Sequence, residues 1–117
     1  MVLVAEDQAI TALELKTLLK RKGYNRVLCF SEGVYAMECL LNEDPDFAIL
    51  DIKLADGVSG LDIARNLKEK NIPFIFVSAF SDPAYFEHAK ALNPAGIITK
   101  PFDESELINV LDNLRKN

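Results

Sequence analysis

The chain has 117 residues, half of them hydrophobic, which is the size of one ordinary domain and too apolar for intrinsic disorder. Its 13 basic and 18 acidic residues give a net charge of −5 without a basic stripe, which argues against direct binding of nucleic acid. The apolar runs are far shorter than the roughly twenty residues of a membrane span. We therefore expect residues 1–117 to form a single domain that makes no contact with a membrane. Because no basic and apolar leader opens the sequence, we expect it in the cytoplasm.

Five short apolar runs recur along the sequence, and each is nearly continuous rather than alternating. Such runs are typical of strands that are covered on both faces in a parallel sheet. The runs cover residues 1–5, 27–30, 47–50, 73–77 and 95–99.

Helix signals fill the segments between these runs. The first helix is predicted over 8–22, and Gly23 is placed to end it. Its apolar face is formed by Ile10, Leu15, Leu18 and Leu19. The starts of the other four helices are marked by Ser31, by Ser59 with Asp62, by Asp82 before Pro83, and by Asp103 with Glu106. Strand and helix thus alternate five times, which predicts an α/β fold of the (βα)5 type: a doubly wound, parallel five-stranded sheet with helices on both faces.

Acidic, hydroxyl and basic side chains stand at the ends of four predicted strands. Glu6 and Asp7 end the first, Asp51 the third, Ser78 the fourth and Lys100 the fifth. In a doubly wound sheet these ends share one edge, where ligands bind, so we expect the five side chains to converge. Three carboxylates in one place require a compensating cation, and oxygen ligands of this kind suit Mg²⁺.

A metal beside a carboxylate, with a lysine and a hydroxyl pointing inward, is suited to phosphoryl transfer. The metal and the Lys100 ammonium would neutralise charge on the phosphoryl oxygens while a carboxylate oxygen attacks in line. Asp51 is the natural nucleophile because it ends the central strand. The pattern predicts a phospho-acceptor site.

These residues also resemble a known family. Glu6-Asp7, Asp51, Ser78-Ala79 and Lys100-Pro101-Phe102, in this order and at these intervals, resemble the receiver domain of two-component response regulators. The resemblance covers essentially the whole chain and implies the flavodoxin-like sheet order 2-1-3-4-5.

The resemblance implies roles for the acidic residues. Asp51 would accept a phosphoryl group from a histidine of a sensor histidine kinase or of a histidine phosphotransfer protein. Asp7 would bind Mg²⁺ directly and Glu6 through water, and the backbone carbonyl of Lys53 would be a further ligand.

The resemblance also implies roles for the other strand-end residues. Ser78 and Lys100 would contact phosphoryl oxygens, and the Lys100–Pro101 peptide bond would be cis. The domain would not be a conventional enzyme, since it would catalyse only its own phosphorylation and dephosphorylation. Its output would be a switch in contacts with a downstream protein or an attached effector domain, and the sequence leaves a homodimer open.

The loop after the acceptor departs from the family pattern. The family commonly has a proline four residues after the acceptor and a glycine eight residues after it, where this chain has Ala55 and Ser59. The loop reads as one residue longer, so we expect a rerouted path with Gly57 at a turn and Asp51 undisturbed.

Two further positions bear on switching. Many relatives have a tyrosine or phenylalanine three residues before the lysine, where this chain has Ile97, which has no ring to swing inward. Phe80 lies two residues after Ser78, where a bulky side chain restricts the access of the water that hydrolyses the acyl phosphate. From Phe80 and Lys53 beside the site, we hypothesise a long-lived phosphorylated form.

Two other functions compete with this interpretation. One is a receiver-like interaction module that is not controlled by phosphorylation. The presence of Ile97 in place of an aromatic residue favours this alternative. The other is a flavodoxin-like cofactor binder. The second is disfavoured because Glu6 and Asp7 would repel a phosphate at the place where such a protein needs a phosphate-binding loop.

Overall fold

The computed structural model describes residues 1–80 and 82–116, in which strands and helices alternate along the chain. The strands are β1 (Val2–Ala5), β2 (Val27–Phe30), β3 (Phe47–Leu50), β4 (Phe74–Ser78) and β5 (Gly96–Thr99). The helices are α1 (Ala9–Arg21), α2 (Gly33–Asn42), α3 (Gly60–Glu69), α4 (Pro83–Ala91) and α5 (Glu104–Lys116). All strand pairs are parallel, in the order β2-β1-β3-β4-β5. The predicted fold and sheet order are confirmed.

The register of the sheet brings the strand ends to one level. Ala5, the last residue of β1, lies opposite Leu50, the last residue of β3. At the other side of the sheet, Ser78 lies opposite Thr99. The residues that follow β1, β3 and β5 therefore leave the sheet side by side at its carboxyl edge.

The sheet separates two hydrophobic layers, as expected for strands that are apolar on both faces. One layer joins Leu3, Ala5 and their neighbours to buried residues of α2, α3 and α4. The other joins Val2, Val4 and their neighbours to α1 and α5. None of the helices in the described part of the chain is long and apolar enough to cross a membrane.

Helix α1 begins and ends within one residue of its predicted bounds, but its predicted apolar face is only partly buried. Leu15, Leu18 and Leu19 are buried, and Gly23 follows the helix with φ +98°, as its end signal predicted. Ile10 is 76% exposed, so its assignment to the core face is wrong. At about 100° per residue, the nine positions between Ile10 and Leu19 place the two on opposite sides of the helix.

The helix starts are mostly as predicted. Ser59 and Asp62 form the capping box of α3, and the side chain of Asp82 caps α4. Ser31 does not cap α2, because that helix begins two residues later, after Glu32.

The two sides of α1 differ in their expected contribution to stability. Leu15→Ala removes a fully buried side chain, so we expect the free energy of unfolding to fall by about 2–5 kcal/mol. Ile10→Ala, on the exposed side, is expected to change it by less than about 0.5 kcal/mol. Urea unfolding followed by circular dichroism measures both values, and similar losses for the two variants would contradict this description of α1.

Candidate functional site

The carboxylate of Asp51 lies at the carboxyl edge of the sheet, directly after β3. Its Oδ1 accepts a hydrogen bond of 2.7 Å from Ser78 Oγ, and its Oδ2 accepts one of 2.8 Å from Lys100 Nζ. Asp51 is only 7% exposed and Ser78 5%. The strand ends of β3, β4 and β5 thus meet on one carboxylate, as the sequence predicted.

Glu6 lies beneath this group and is 3% exposed. Its Oε1 is 2.5 Å from Lys100 Nζ, and its Oε2 accepts a hydrogen bond of 3.0 Å from the backbone N–H of Gln8. Burial, and more weakly the negative charge of Asp51, raise the pKa of Glu6 to about 7, although Lys100 and the Gln8 amide oppose that rise. Burial therefore outweighs the two contacts that favour the ionised form of Glu6.

Lys100 is the cation that balances this cluster. Burial alone would lower the pKa of its ammonium, but the hydrogen bonds and charges of Asp51 and Glu6 outweigh burial and raise that pKa above its usual value. Lys100 therefore keeps its positive charge at neutral pH.

Asp7 completes a set of three acids. One carboxylate oxygen from each of Glu6, Asp7 and Asp51 lies within 4.8 Å of the others, and Asp7 is exposed at the mouth of the site. Within residues 1–80 and 82–116, Glu6 Oε1 has no well-aligned hydrogen-bond donor despite its burial. Its close neighbour is the Lys100 ammonium, at 2.5 Å. The three clustered carboxylate oxygens are ligands that suit a hard divalent cation.

An open cleft gives access to Asp51. It is lined by Asp7, Gln8, Asp51, Ile52, Lys53, Ser78, Ala79, Phe80, Tyr85 and Lys100. All residues that the sequence predicted for the site line this cleft, except Glu6, which lies directly beneath it. The Lys100–Pro101 peptide bond is cis, as predicted.

Comparison with known proteins identifies this arrangement. Residues 2–112 match the family model of the response regulator receiver domain. The chain belongs to this family.

Relatives of this receiver domain include larger regulatory proteins. It is 32% identical over 112 residues to the transcriptional regulatory protein PdtaR of Mycobacterium tuberculosis, covering 95% of this chain and 54% of that protein. It is 34% identical over 116 residues to the sensory transduction protein LytT of Bacillus anthracis, covering 98% of this chain and 47% of LytT. The chain thus spans about half the length of these curated relatives.

A solved structure shares the fold. The signal receiver domain of a modulated diguanylate cyclase from Desulfovibrio desulfuricans is 32% identical, with a TM-score of 0.86. The similarity covers 97% of this chain and 90% of that one.

Sequence reasoning missed one polar contact of the receiver site. Gln8 Oε1 accepts a hydrogen bond of 3.2 Å from Lys100 Nζ, so the ammonium has three oxygen neighbours. The available signal was its position directly after the acid pair, where it becomes the N-cap residue of α1.

The aromatic residues near the receiver site lie on the β4–α4 side. Phe80 has a left-handed backbone with φ +50° and packs edge-on against Phe86, with ring centroids 5.3 Å apart. Tyr85, which the sequence did not place in the site, lines the cleft. Ile97 is half-buried and packs against the core beneath α2, α3 and α4.

Gly60 allows α3 to begin against the backbone of Asp51. A Cβ atom at Gly60 would lie 2.0 Å from the backbone oxygen of Asp51, and the Gly60 N–H donates to the Ile52 oxygen at 2.8 Å. The glycine required for this close approach is therefore Gly60 rather than position 59, where Ser59 caps α3. Gly57, with φ +82°, forms the predicted turn.

The contact of Gly60 with the acceptor is expected to make Gly60→Ala damaging. The new methyl group overlaps backbone that cannot yield easily, so we expect a loss of about 1–3 kcal/mol in the free energy of unfolding. We also expect shifted amide resonances of Asp51 and Ser78. Gly57→Ala is the matched control. A Cβ atom at Gly57 would meet no neighbour within 4 Å, so this variant should lose only the about 1–2 kcal/mol of unfolding free energy that a left-handed alanine costs. Unchanged Asp51 resonances in folded Gly60→Ala would contradict the close approach.

Proposed function

We propose that this receiver domain is the phospho-acceptor of a two-component or phosphorelay pathway, with Asp51 as the acceptor. The observation that carries the proposal is the carboxylate of Asp51, held between the Ser78 hydroxyl and the Lys100 ammonium. Family membership supports the same role. The donor would be a phosphohistidine on a sensor histidine kinase or a histidine phosphotransfer protein.

The reaction is a substitution at phosphorus. An oxygen of Asp51 forms the new phosphorus–oxygen bond while the phosphorus–nitrogen bond of the donor breaks. The electron pair of that bond stays with the imidazole nitrogen, and the ring, protonated on its other nitrogen, leaves neutral. Lys100 and Ser78 already reach both oxygens of Asp51, so they are positioned to turn toward phosphoryl oxygens once one carboxylate oxygen is used.

Mg²⁺ is the cofactor that we propose for this site. Glu6, Asp7, Asp51 and the backbone carbonyl of Lys53 would hold it, with Glu6 acting through water. When bound, Mg²⁺ supplies positive charge to the transferring phosphoryl group. The clustered carboxylate oxygens of Glu6, Asp7 and Asp51 support this assignment.

The output of the domain would be a change in protein–protein contacts. PdtaR is described as a transcriptional regulatory protein and LytT as a sensory transduction protein, and each is about twice as long as this chain. We propose a downstream protein or an attached effector domain as the target, and a cytoplasmic location. A homodimer is a further form that phosphorylation could favour.

A second candidate function is an interaction module that is not controlled by phosphorylation. Ile97 favours it, because β5 then has no aromatic ring to report on the acceptor. The complete set of Asp51, Ser78 and Lys100 favours the phospho-acceptor instead, since constitutive docking requires no buried carboxylate with an ammonium beside it.

Acetyl phosphate provides a direct test of the phospho-acceptor. With Mg²⁺ we expect one phosphoryl adduct by mass spectrometry, stable in acid and labile in base. Asp51→Asn should abolish the adduct, because an amide oxygen is a far weaker nucleophile than a carboxylate, and chelation of Mg²⁺ should do the same. Asp44→Asn is the control, since Asp44 is an exposed acid paired with Lys70 and should leave the adduct unchanged. A folded wild-type protein without an adduct would favour the second candidate.

Phe80 is proposed to prolong the phosphorylated state. Its position on the wall of the cleft, beside Asp51 and Lys53, supports a role in restricting water. We expect Phe80→Ala to lose phosphate faster than wild type, measured by decay of the adduct after removal of the donor. Phe86→Ala removes the partner ring from α4 and serves as the control for lost packing. An unchanged decay rate in Phe80→Ala would remove Phe80 as the cause.

A further inference from the structure

The loop that joins β3 to α3 is bound to the start of α2 by the carboxylate of Asp56. Asp56 Oδ1 accepts a hydrogen bond of 2.9 Å from the backbone N–H of Gly33, and Oδ2 accepts one of 2.8 Å from that of Val34. The side chain of Glu32, the N-cap residue of α2, forms no capping hydrogen bond. The cap of α2 is therefore supplied by a residue of another loop.

The carboxylate also orders its own loop. Asp56 Oδ1 accepts a second hydrogen bond of 3.2 Å from the backbone N–H of Val58. The hydrogen bond from Val34 lowers the pKa of the Asp56 carboxyl most, and with those from Gly33 and Val58 it outweighs burial, which acts in the opposite direction. Asp56 thus stays ionised at neutral pH, as favoured at a helix N-terminus.

Backbone contacts reinforce this connection. The Ala55 N–H donates to the oxygen of Ser31 at 3.1 Å, so the two loops are also joined at the residue directly before Asp56. A Cβ atom at Gly33 would lie 2.6 Å from the Cβ atom of Val58, which shows how closely α2 approaches the loop.

The segment anchored in this way contains Lys53. Ile52 and Leu54, on either side of it, are buried at 3% and 8% exposure, and Lys53 itself lies on the wall of the cleft. The backbone at Lys53 is thus fixed at one end by Asp51, whose N–H donates to the Ala5 oxygen of β1 at 2.8 Å, and at the other by the contacts of Ala55 and Asp56.

We infer that Asp56 is a positioning residue for the metal site: by capping α2 it holds the backbone at Lys53 where the carbonyl can serve as a ligand. This inference rests on the proposed function, which assigns that carbonyl to Mg²⁺. The inference also assigns a role to the segment after Asp51 that the sequence predicts to follow a rerouted path, which contains Asp56 and Gly57.

The variants Asp56→Ala and Asp56→Asn test this inference. The first removes both acceptor oxygens, and the second keeps one and is the variant to use if the first does not fold. Arg115→Ala is the matched control, since Arg115 also joins two elements by hydrogen bonds, to Tyr24 and to the Lys22 oxygen. Arg115 lies close to Asp46, Phe47 and Pro73, at the edge of the sheet where β3 and β4 begin, and not in the cleft around Asp51.

Two measurements on the full chain need no phosphate. The first is hydrogen exchange without metal, in which we expect the amides of Gly33, Val34 and Ala55 to exchange faster in the Asp56 variants than in wild type. The second is an NMR titration with Mg²⁺ alone. Loss of a residue that orients a metal ligand typically weakens metal affinity at least tenfold. We therefore expect the half-saturating Mg²⁺ concentration to be about tenfold higher in Asp56→Ala than in wild type. In Asp56→Asn we expect a smaller increase.

A third measurement is phosphorylation by acetyl phosphate as a function of Mg²⁺ concentration. For Asp56→Ala we expect a higher half-saturating Mg²⁺ concentration but a maximal rate close to that of wild type. The inference would be overturned if Asp56→Ala showed faster amide exchange but a half-saturating Mg²⁺ concentration within twofold of that of wild type. Asp56 would then serve only as the cap of α2. An equal Mg²⁺ effect in Arg115→Ala would also overturn it.

The outcomes separate this inference from the proposed function. If wild type binds Mg²⁺ but forms no adduct, the phospho-acceptor proposal fails, while the tenfold shift in Mg²⁺ titration still supports the role of Asp56. If wild type forms the adduct and Asp56→Ala binds Mg²⁺ as wild type does, the inference fails and the phospho-acceptor proposal stands.

Discussion

The balance of charge at the carboxyl edge of the sheet constrains this receiver domain. Asp51 and Glu6 are both almost completely buried, and Lys100 Nζ lies 2.8 Å from one and 2.5 Å from the other. Removing the partner of a buried charge costs about 3–5 kcal/mol, a large part of the about 5–15 kcal/mol that keeps a domain folded. The β5–α5 connection must therefore deliver an ammonium to this position, and the parallel register is what allows it.

The same balance makes the site responsive. In this structure Lys100 is shared by the oxygens of Asp51, Glu6 and Gln8, so it can shift among neighbours without leaving the cluster. A metal ion or a phosphoryl group changes the local charge and would redistribute these contacts. A buried group with a single possible partner could not adjust in this way without leaving a charge unpaired.

The connections from the acceptor to the rest of the domain lie in two loops. Ser78 is followed within two residues by Phe80, whose left-handed backbone is unusual for a large side chain and costs on the order of 1–3 kcal/mol. Phe80 contacts Phe86 on α4, whereas Ile97 on β5 offers no ring. The loop after Asp51 instead connects to α2 through Asp56. This domain therefore links its acceptor to α2 through Asp56 and to α4 through Phe80.

Much of this protein was determined by local sequence. The continuous apolar runs predicted five parallel strands, of which β1, β3 and β4 are buried along their whole length. The strand-end positions of Glu6, Asp7, Asp51, Ser78 and Lys100 predicted one shared site because strand ends have a common edge. The cap of α2 and the contacts of Gln8 and Gly60 were decided by tertiary structure, whereas helical periodicity alone already places Ile10 opposite Leu19. Asp56 shows the reason: its partners Gly33 and Val34 are more than twenty residues away, and only the packing of the loop against α2 brings a carboxylate to that helix start.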